Sequence, residues 1–304
     1  MSKKGHITIV EVGTRDGMQI EKEFIPTEQK IKIVNLISDS GIQRIEVTSF
    51  VSPKHVPQLS DAKEVMDNIK RKVGVEYEAL IPNTMGMERA LECDLDRISL
   101  FVSSSEKFNN KNLRASRSEM IKKSKEVSEI AIRNKIKVRG AVVTAFGCPY
   151  EGKIPFKSLE WVVKEYLEMG CDEICLADTV GMSNPIHVKE ITEKLRNIAP
   201  DANYSLHFHN TRGLGLANLF AGLEIGIKTF DSSIGGLGGC PFAPKATGNI
   251  STEDAVNMLH EMGYSTNINL NKIFKAVSSL EKILLRQLPG QLFHAGVPKW
   301  KTKK

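Results

Sequence analysis

The chain has 304 residues, of which 41% are hydrophobic and 26% are charged, as is typical of a globular protein with a sizeable core. The net charge is +6, from 42 basic and 36 acidic residues. Because the basic residues are scattered along the chain, they do not predict a nucleic-acid-binding surface. No apolar stretch is long enough to span a bilayer, and five cysteines at low density argue against a disulfide framework. We therefore expect a cytoplasmic protein that binds neither a membrane nor nucleic acid.

Short β-branched runs alternate with longer amphipathic stretches along most of the chain. Residues 7–12 are predicted to form the first strand, and residues 27–40 a helix that ends before Gly41. The same alternation predicts seven further strands, at residues 44–47, 75–80, 97–102, 138–144, 173–177, 204–208 and 229–233. Helices are predicted between them, for example at residues 118–134, 156–169 and 185–197, and an eighth begins near Thr252.

Strand–helix alternation predicts parallel strands with right-handed crossovers, and eight such units suit a (β/α)8 TIM barrel. An open doubly wound sheet is the alternative, but no glycine-rich dinucleotide fingerprint follows the first strand. We expect residues 1–304 to form a single catalytic barrel domain. The barrel would span about residues 6–265, with a small C-terminal helical extension over about residues 267–300.

In such a barrel the active site lies at the carboxyl ends of the strands. The first strand ends in a charged pair, Arg15 and Asp16, between two glycines. This pattern is typical either of ligand contacts or of a surface turn with a salt bridge. Glu46, in the second strand, could orient metal ligands or form an internal salt bridge with a basic residue such as Arg139; the two interpretations are compatible.

The seventh strand carries His207 and His209, which face the same side because side chains alternate along a strand. A single histidine there would more often be a core residue. Two on one face, at the catalytic end, favour metal ligation by neutral imidazoles. A carboxylate such as Asp16 would complete a set of two histidines and one acid.

A glycine-rich segment, residues 235–241, follows the eighth strand and contains Cys240. It predicts a mobile loop that brings a thiol close to a ligand, although an idle cysteine on a plain glycine loop or a phosphate cradle are alternatives. Asn249 lies just before the eighth helix, where it could supply a fourth metal ligand or cap the helix, with Ser251 as the competing cap.

Two further strand ends carry candidate substrate contacts. Ser49 lies in the loop that follows Glu46, and Asp178 ends the sixth strand. An aspartate at a helix N-terminus would look like Asp178 without contacting substrate.

Three motifs, at residues 14–19, 207–210 and 236–242, together resemble the 3-hydroxy-3-methylglutaryl-CoA (HMG-CoA) lyase family of the metal-dependent barrel lyase and Claisen synthase superfamily. The likeness extends from Val10 to about Gly263. The glycine–cysteine loop is the element specific to the lyases, and one small departure from the family pattern is Phe242, where a tyrosine is common.

The resemblance implies a lyase that cleaves HMG-CoA to acetyl-CoA and acetoacetate, with an acyl-CoA as substrate and Mg²⁺ or Mn²⁺ as cofactor. It also implies roles for individual residues: metal binding by Asp16, His207, His209 and Asn249, substrate contact by Arg15, acid/base work by Cys240 and support of the ligands by Glu46. The base would be Asp16 or His207, and Cys240 or His207 would protonate the product carbon. We also expect a homodimer.

Two alternatives are open at this point. A condensing synthase of the same superfamily would share Arg15, Asp16, His207 and His209, but such enzymes usually carry a long C-terminal accessory region, for which the residues after about 290 are too few. A metal-free binding barrel, in which the histidines belong to the core, is disfavoured because three strand ends carry matching chemistry.

Overall fold

The computed structural model describes residues 4–239 and 248–298, and eight parallel strands close into a barrel in chain order. The strands are β1 (Thr8–Glu11), β2 (Arg44–Ser49), β3 (Glu76–Leu80), β4 (Arg97–Ser103), β5 (Lys137–Val143), β6 (Glu173–Asp178), β7 (Tyr204–Phe208) and β8 (Thr229–Ser232). β1 pairs in parallel with both β2 and β8, which closes the barrel. The predicted (β/α)8 fold is confirmed.

Helices follow the strands and cover the outside of the barrel. They are α1 (Thr27–Ser38), α2 (Ala62–Asn68), α3 (Thr84–Ala90), α4 (Glu106–Phe108), α5 (Arg117–Arg133), α6 (Phe156–Glu168), α7 (Pro185–Ile198), α8 (Gly215–Glu224), α9 (Thr252–Glu261), α10 (Leu270–Leu284) and α11 (Gln291–Ala295). Ser116 and Glu119 form a capping box that begins α5, and Ser251 caps α9 by accepting a hydrogen bond from the Asp254 amide. Among the described residues, no helix is both long and apolar enough to cross a membrane.

The hydrophobic core lies between the strands and the inner faces of the helices. Val34 and Ile37 of α1 are fully buried, as their helical spacing predicts, whereas Ile31 of the same spacing is only partly buried. The apolar residues of α8 predict that Leu219 and Phe220 are both buried; Leu219 is fully buried, but Phe220 is 40% exposed. The buried face of α8 is centred on its glycines and on Asn218, so the neighbouring position 220 turns toward solvent.

The inside of the barrel is charged rather than apolar at its centre. Five buried residues, which we call the interior ion network, are Arg44, Glu78, Arg139, Glu173 and Asp231. Arg44 contacts Glu173 at 2.6 Å and Glu78 at 3.0 Å, and Arg139 contacts Asp231 at 2.6 Å and Glu173 at 2.8 Å. Buried charges of both signs therefore compensate one another, as burial requires.

The C-terminal extension folds back onto the barrel. α10 packs against α1. The Gly290 amide donates to the Gly235 carbonyl at 2.9 Å, and the Leu292 amide donates to the Asp254 carboxylate at 2.7 Å. The extension thus contacts the segment that follows β8, at the rim of the barrel where the strands end.

Candidate active site

The chain leaves β1 through a single π-helical turn, Gly13–Gly17, in which the Asp16 amide donates to the Val12 carbonyl at 2.7 Å. Gly13 and Gly17, which begin and end this turn, are glycines because a larger side chain would not fit at either position. A Cβ at Gly13 would lie 2.5 Å from a carboxylate oxygen of Glu11, and one at Gly17 would lie 3.1 Å from the Leu237 side chain. The turn packs tightly against the segment after β8 and holds Arg15 and Asp16 at the rim.

Asp16, His207 and His209 lie together at this rim, as the sequence predicted. All three are buried, and one potential ligand atom from each lies within 4.8 Å of the others. The Asp16 Oδ2–His209 Nε2 separation is 3.6 Å, and the two imidazole centroids are 5.0 Å apart. A separation of 3.6 Å is longer than a hydrogen bond between these atoms, yet it is short enough for both atoms to bind the same cation.

Asn249 lies beside this cluster. Its backbone pairs with His209 in an isolated antiparallel bridge, and its Nδ2 donates to Asp16 at 2.9 Å and to the Leu237 carbonyl at 3.2 Å. Its Oδ1 is buried and has no hydrogen-bond partner among the described residues. A buried acceptor without a partner, beside a carboxylate and two imidazoles, fits a divalent cation. The cap of α9 is Ser251, not Asn249.

Arg15 joins the cluster to β2. Its Nε donates to Glu46 and its Nη1 donates to Asp16 at 2.6 Å, with 13% of the side chain exposed. The internal salt bridge considered for Glu46 is present, but its basic partner is Arg15 rather than Arg139, which contacts Glu173 and Asp231 instead. Glu46 thereby orients the Arg15 guanidinium, which contacts the candidate metal ligand Asp16.

These contacts determine the charges at the site. Burial alone would raise the pKa of Asp16, but Arg15, His209 and His207 outweigh it and hold that pKa well below its usual range. Burial raises the pKa of Glu46, and Arg15 opposes this only in part. The pKa of Arg15 is raised by Glu46 and Asp16 although burial opposes the rise. Asp16 is therefore an anion at neutral pH, as a metal ligand must be.

Asp231 of β8 contacts the site residue His207 and was not identified as a candidate from the sequence. Its Oδ2 lies 3.1 Å from His207 Nδ1. Burial would raise the pKa of Asp231, but Arg139 and His207 lower it to about 2, so it is an anion. The only sequence signal is a lone acid in a short strand, and its partner becomes clear only from the register that sets His207 beside Asp231.

Ser49 and Asp178 lie at strand ends of the same rim, but their side chains are engaged locally. The Asp178 carboxylate accepts hydrogen bonds from the Met182 amide at 2.7 Å and from the Ser183 amide and hydroxyl at 3.0 and 2.5 Å. The Ser49 hydroxyl donates to the Leu80 carbonyl at 3.1 Å. Both side chains therefore shape the loops that leave β2 and β6.

Cys240 lies outside the described residues, but the segment before it does not. Gly235, Gly236 and Gly238 have positive φ angles of 65°, 69° and 127°, which favour glycine. A Cβ at Gly238 would lie 2.8 Å from Asn249 Nδ2. The described part of the glycine-rich segment thus passes directly beside the candidate metal ligands.

Comparison with known proteins identifies relatives over most of the chain. The family model described as HMGL-like matches residues 6–280. Hydroxymethylglutaryl-CoA lyase YngG of Bacillus subtilis is 43% identical over 285 residues, covering 94% of this chain and 95% of that protein. The mitochondrial hydroxymethylglutaryl-CoA lyase of Homo sapiens is 40% identical over 289 residues, covering 95% of this chain and 89% of that protein.

Solved structures agree with these matches. The crystal structure of the Bacillus subtilis HMG-CoA lyase has a TM-score of 0.94 and 42% identity, covering 97% of this chain and 99% of that one. An HMG-CoA lyase from Acinetobacter baumannii, in complex with coenzyme A and 3-methylmalate, has a TM-score of 0.91 and 43% identity, covering 96% and 95%. The resemblance based on three motifs is confirmed, and the chain belongs to the HMGL-like family.

Proposed function

We propose that this chain is a hydroxymethylglutaryl-CoA lyase, which cleaves HMG-CoA to acetyl-CoA and acetoacetate. The observation that carries the proposal is the buried set of Asp16, His207 and His209, with the unpartnered Asn249 Oδ1 beside them and Arg15 at the same rim. The relatives named HMG-CoA lyases support the substrate, as does the relative solved with coenzyme A and 3-methylmalate.

The reaction needs no redox partner. A base takes the proton of the tertiary hydroxyl group, and that oxygen forms the ketone of acetoacetate as the carbon–carbon bond breaks. The electron pair of the broken bond passes to the enolate of acetyl-CoA, and a proton added to its terminal carbon completes the methyl group. Two proton transfers and one charge-stabilising contact are therefore required of the protein.

We assign the cation, Mg²⁺ or Mn²⁺, to Asp16, His207, His209 and the Asn249 side-chain oxygen. Oxygen donors suit both ions, and the two imidazoles suit Mn²⁺ as well. When bound, the cation would supply Lewis acidity and a template for the substrate oxygens. Glu46 supports this set through Arg15, which contacts both carboxylates.

Arg15 is the proposed substrate contact that offsets the charge developing on the enolate oxygen. Its guanidinium is held between Glu46 and Asp16 and is mostly buried, so it needs little reorganisation during the reaction. Ser49 and Asp178 are proposed to act on the substrate side by shaping the loops around it, consistent with their local hydrogen bonds.

The two candidate bases differ in their surroundings. Asp16 accepts hydrogen bonds from Arg15, Gln19 and Asn249, whereas His207 contacts the buried Asp231 carboxylate through Nδ1. Cys240 is the proposed acid that protonates the product carbon, since the segment before it passes beside Asn249.

The test is a turnover assay with purified protein. Acetoacetate should appear from HMG-CoA in the presence of Mg²⁺ or Mn²⁺, and chelation of the metal or His209→Ala should abolish it. His6→Ala is the matched control, because His6 is an exposed histidine that precedes β1 at the opposite rim. Full turnover with all metal chelated would refute the proposal. Release of coenzyme A from acetyl-CoA and a 2-oxo acid, without lyase activity, would indicate a condensing synthase instead.

We further propose a cytoplasmic homodimer built from a single catalytic domain. The described cysteines, Cys93, Cys148, Cys171 and Cys175, are unpaired, which favours a reducing compartment. The packing of α10 on α1 supports one domain that includes the extension. Light scattering should give twice the chain mass of 33.8 kDa, and cell fractionation should locate the protein in the cytoplasm.

A further inference from the structure

The interior ion network reaches the candidate active site at Asp231. β7 and β8 are in register so that His207 and Asp231 are paired residues on neighbouring strands. Asp231 is 3% exposed, and its Oδ2 lies 3.1 Å from His207 Nδ1. This buried carboxylate is therefore within hydrogen-bond distance of one ring nitrogen of a candidate metal ligand.

The other oxygen of Asp231, Oδ1, is held by Arg139 of the interior ion network. Arg139 Nη2 donates to Asp231 Oδ1 at 2.6 Å and to the Ser205 hydroxyl at 3.0 Å. Arg139 is itself 2% exposed and contacts Glu173 at 2.8 Å through Nε. Because each group is buried and paired, Asp231 has little freedom to turn away from His207.

The direction of this contact determines which ring nitrogen faces the cluster. An ionised carboxylate only accepts hydrogen bonds, so His207 Nδ1 must carry a proton, and a neutral ring then presents the lone pair of Nε2. His209 lacks such support, since its Nδ1 is buried without a partner among residues 4–239 and 248–298. The two histidines are thus held in different ways.

We propose that Asp231, held by Arg139, is a positioning residue that fixes the orientation and tautomer of His207, so that Nε2 faces Asp16 and His209. The proposal rests on the metal-binding role given above to His207. Carboxylates behind ligating histidines orient the ring and raise its basicity, and their loss typically weakens metal binding about 10- to 100-fold.

The first test measures Mn²⁺ binding to metal-free protein by calorimetry, with no substrate present. Asp231→Asn keeps the shape but removes the charge, and we expect its dissociation constant to rise about 10-fold or more relative to the wild type. Ser205→Ala is the matched control, because it removes a hydroxyl contacting Arg139 and Glu173 but leaves the Asp231–His207 pair intact. It should change Mn²⁺ affinity less than 2-fold. Equal affinities for wild type and Asp231→Asn would overturn the proposal.

The second test needs no variant and so does not depend on whether Asp231→Asn folds. Nitrogen-15 NMR of the imidazoles in metal-free wild-type protein should report His207 with a proton on Nδ1 and none on Nε2. The opposite tautomer would overturn the positioning role. If the wild type bound no divalent metal, the proposed function would fail, while the tautomer measured for His207 would still decide the role of Asp231.

Discussion

The two sides of the candidate site are held by different forces. On the side of β7 and β8, His207 is supported by buried ion pairs in which Asp231 and Arg139 offset each other's charge. The segment after β8 is held instead by buried carboxylates that accept backbone hydrogen bonds: Glu11 accepts from the Ile234 amide at 2.9 Å and Glu253 from the Gly235 amide at 3.0 Å.

The difference lies in what compensates each buried acid. Arg139 and His207 lower the pKa of Asp231 to about 2 against the effect of burial. Neither Glu11 nor Glu253 forms a described ion pair, and burial raises their pKa values to about 8 and about 7. One side of the site therefore depends on charge, whereas the other depends on acids that are largely neutral below pH 7.

Removing a cation from the charged side should have the largest effect on stability. Arg139→Ala removes the arginine partner of the buried Asp231 carboxylate and one of the two arginines that contact Glu173, so the free energy of unfolding should fall by about 3–5 kcal/mol. Urea denaturation measures this. Lys137→Ala, an exposed position of the same strand, is the control and should cost less than about 1 kcal/mol. A cost for Arg139→Ala as small as that of the control would contradict the comparison.

The acids beneath the glycine-rich segment should respond to pH in the opposite way to paired acids. Glu253 has an ordinary pKa of 4.5 and a folded pKa of about 7. Its contribution to stability is thus fully present below pH 4.5 and is lost as pH rises through 7. Glu253→Gln mimics the protonated form, so its stability relative to wild type should increase between pH 5 and 8, by up to about 3 kcal/mol.

Thermal unfolding of both proteins across this pH range provides the measurement. Glu126→Gln is the control, because that side chain on α5 is exposed to water. A difference between Glu253→Gln and wild type that stayed constant from pH 5 to 8 would show that Glu253 is ionised throughout. The glycine-rich segment would then be held by charge as well, and the contrast between the two sides would disappear.

A smaller effect should come from crowding at the glycine-rich segment. Gly235→Ala puts a side chain at a φ of 65°, where its Cβ would collide with Leu288 of the extension. Gly74→Ala is a matched control with a φ of 83° and no atom within 4 Å of the added Cβ. Positive φ alone should cost about 1–2 kcal/mol, so Gly235→Ala should cost more than Gly74→Ala in urea denaturation. Equal costs would mean that Leu288 moves aside freely.

Much of this architecture could be predicted from hydrophobic periodicity. Each predicted strand, and the named helices, end within two residues of the observed bounds, for example residues 204–208 against Tyr204–Phe208. The meeting of Asp16 with His207 and His209 follows from side-chain alternation on one strand and from the rule that barrel sites lie at strand ends.

The partners inside the barrel could not be predicted in this way. Glu46 pairs with Arg15 rather than Arg139 because the pairing depends on the depth of each side chain along the barrel axis. Asp231 supports His207 because of the register between β7 and β8, which is set by closure of the whole sheet. Periodicity identifies the face on which a residue lies but not the residue that it contacts across the barrel.

The interior ion network also has an evolutionary consequence. A neutral replacement of Arg139 removes the arginine partner of the buried Asp231, and one of Asp231 removes an acid that offsets the charge of Arg139. We therefore expect substitutions at these positions to arise in pairs among distant relatives. Glu11 and Glu253 have no described cation as partner, and a glutamine could replace either one alone. The residues of the interior ion network should therefore be conserved or replaced together, whereas the acids that contact the glycine-rich segment can be replaced one at a time.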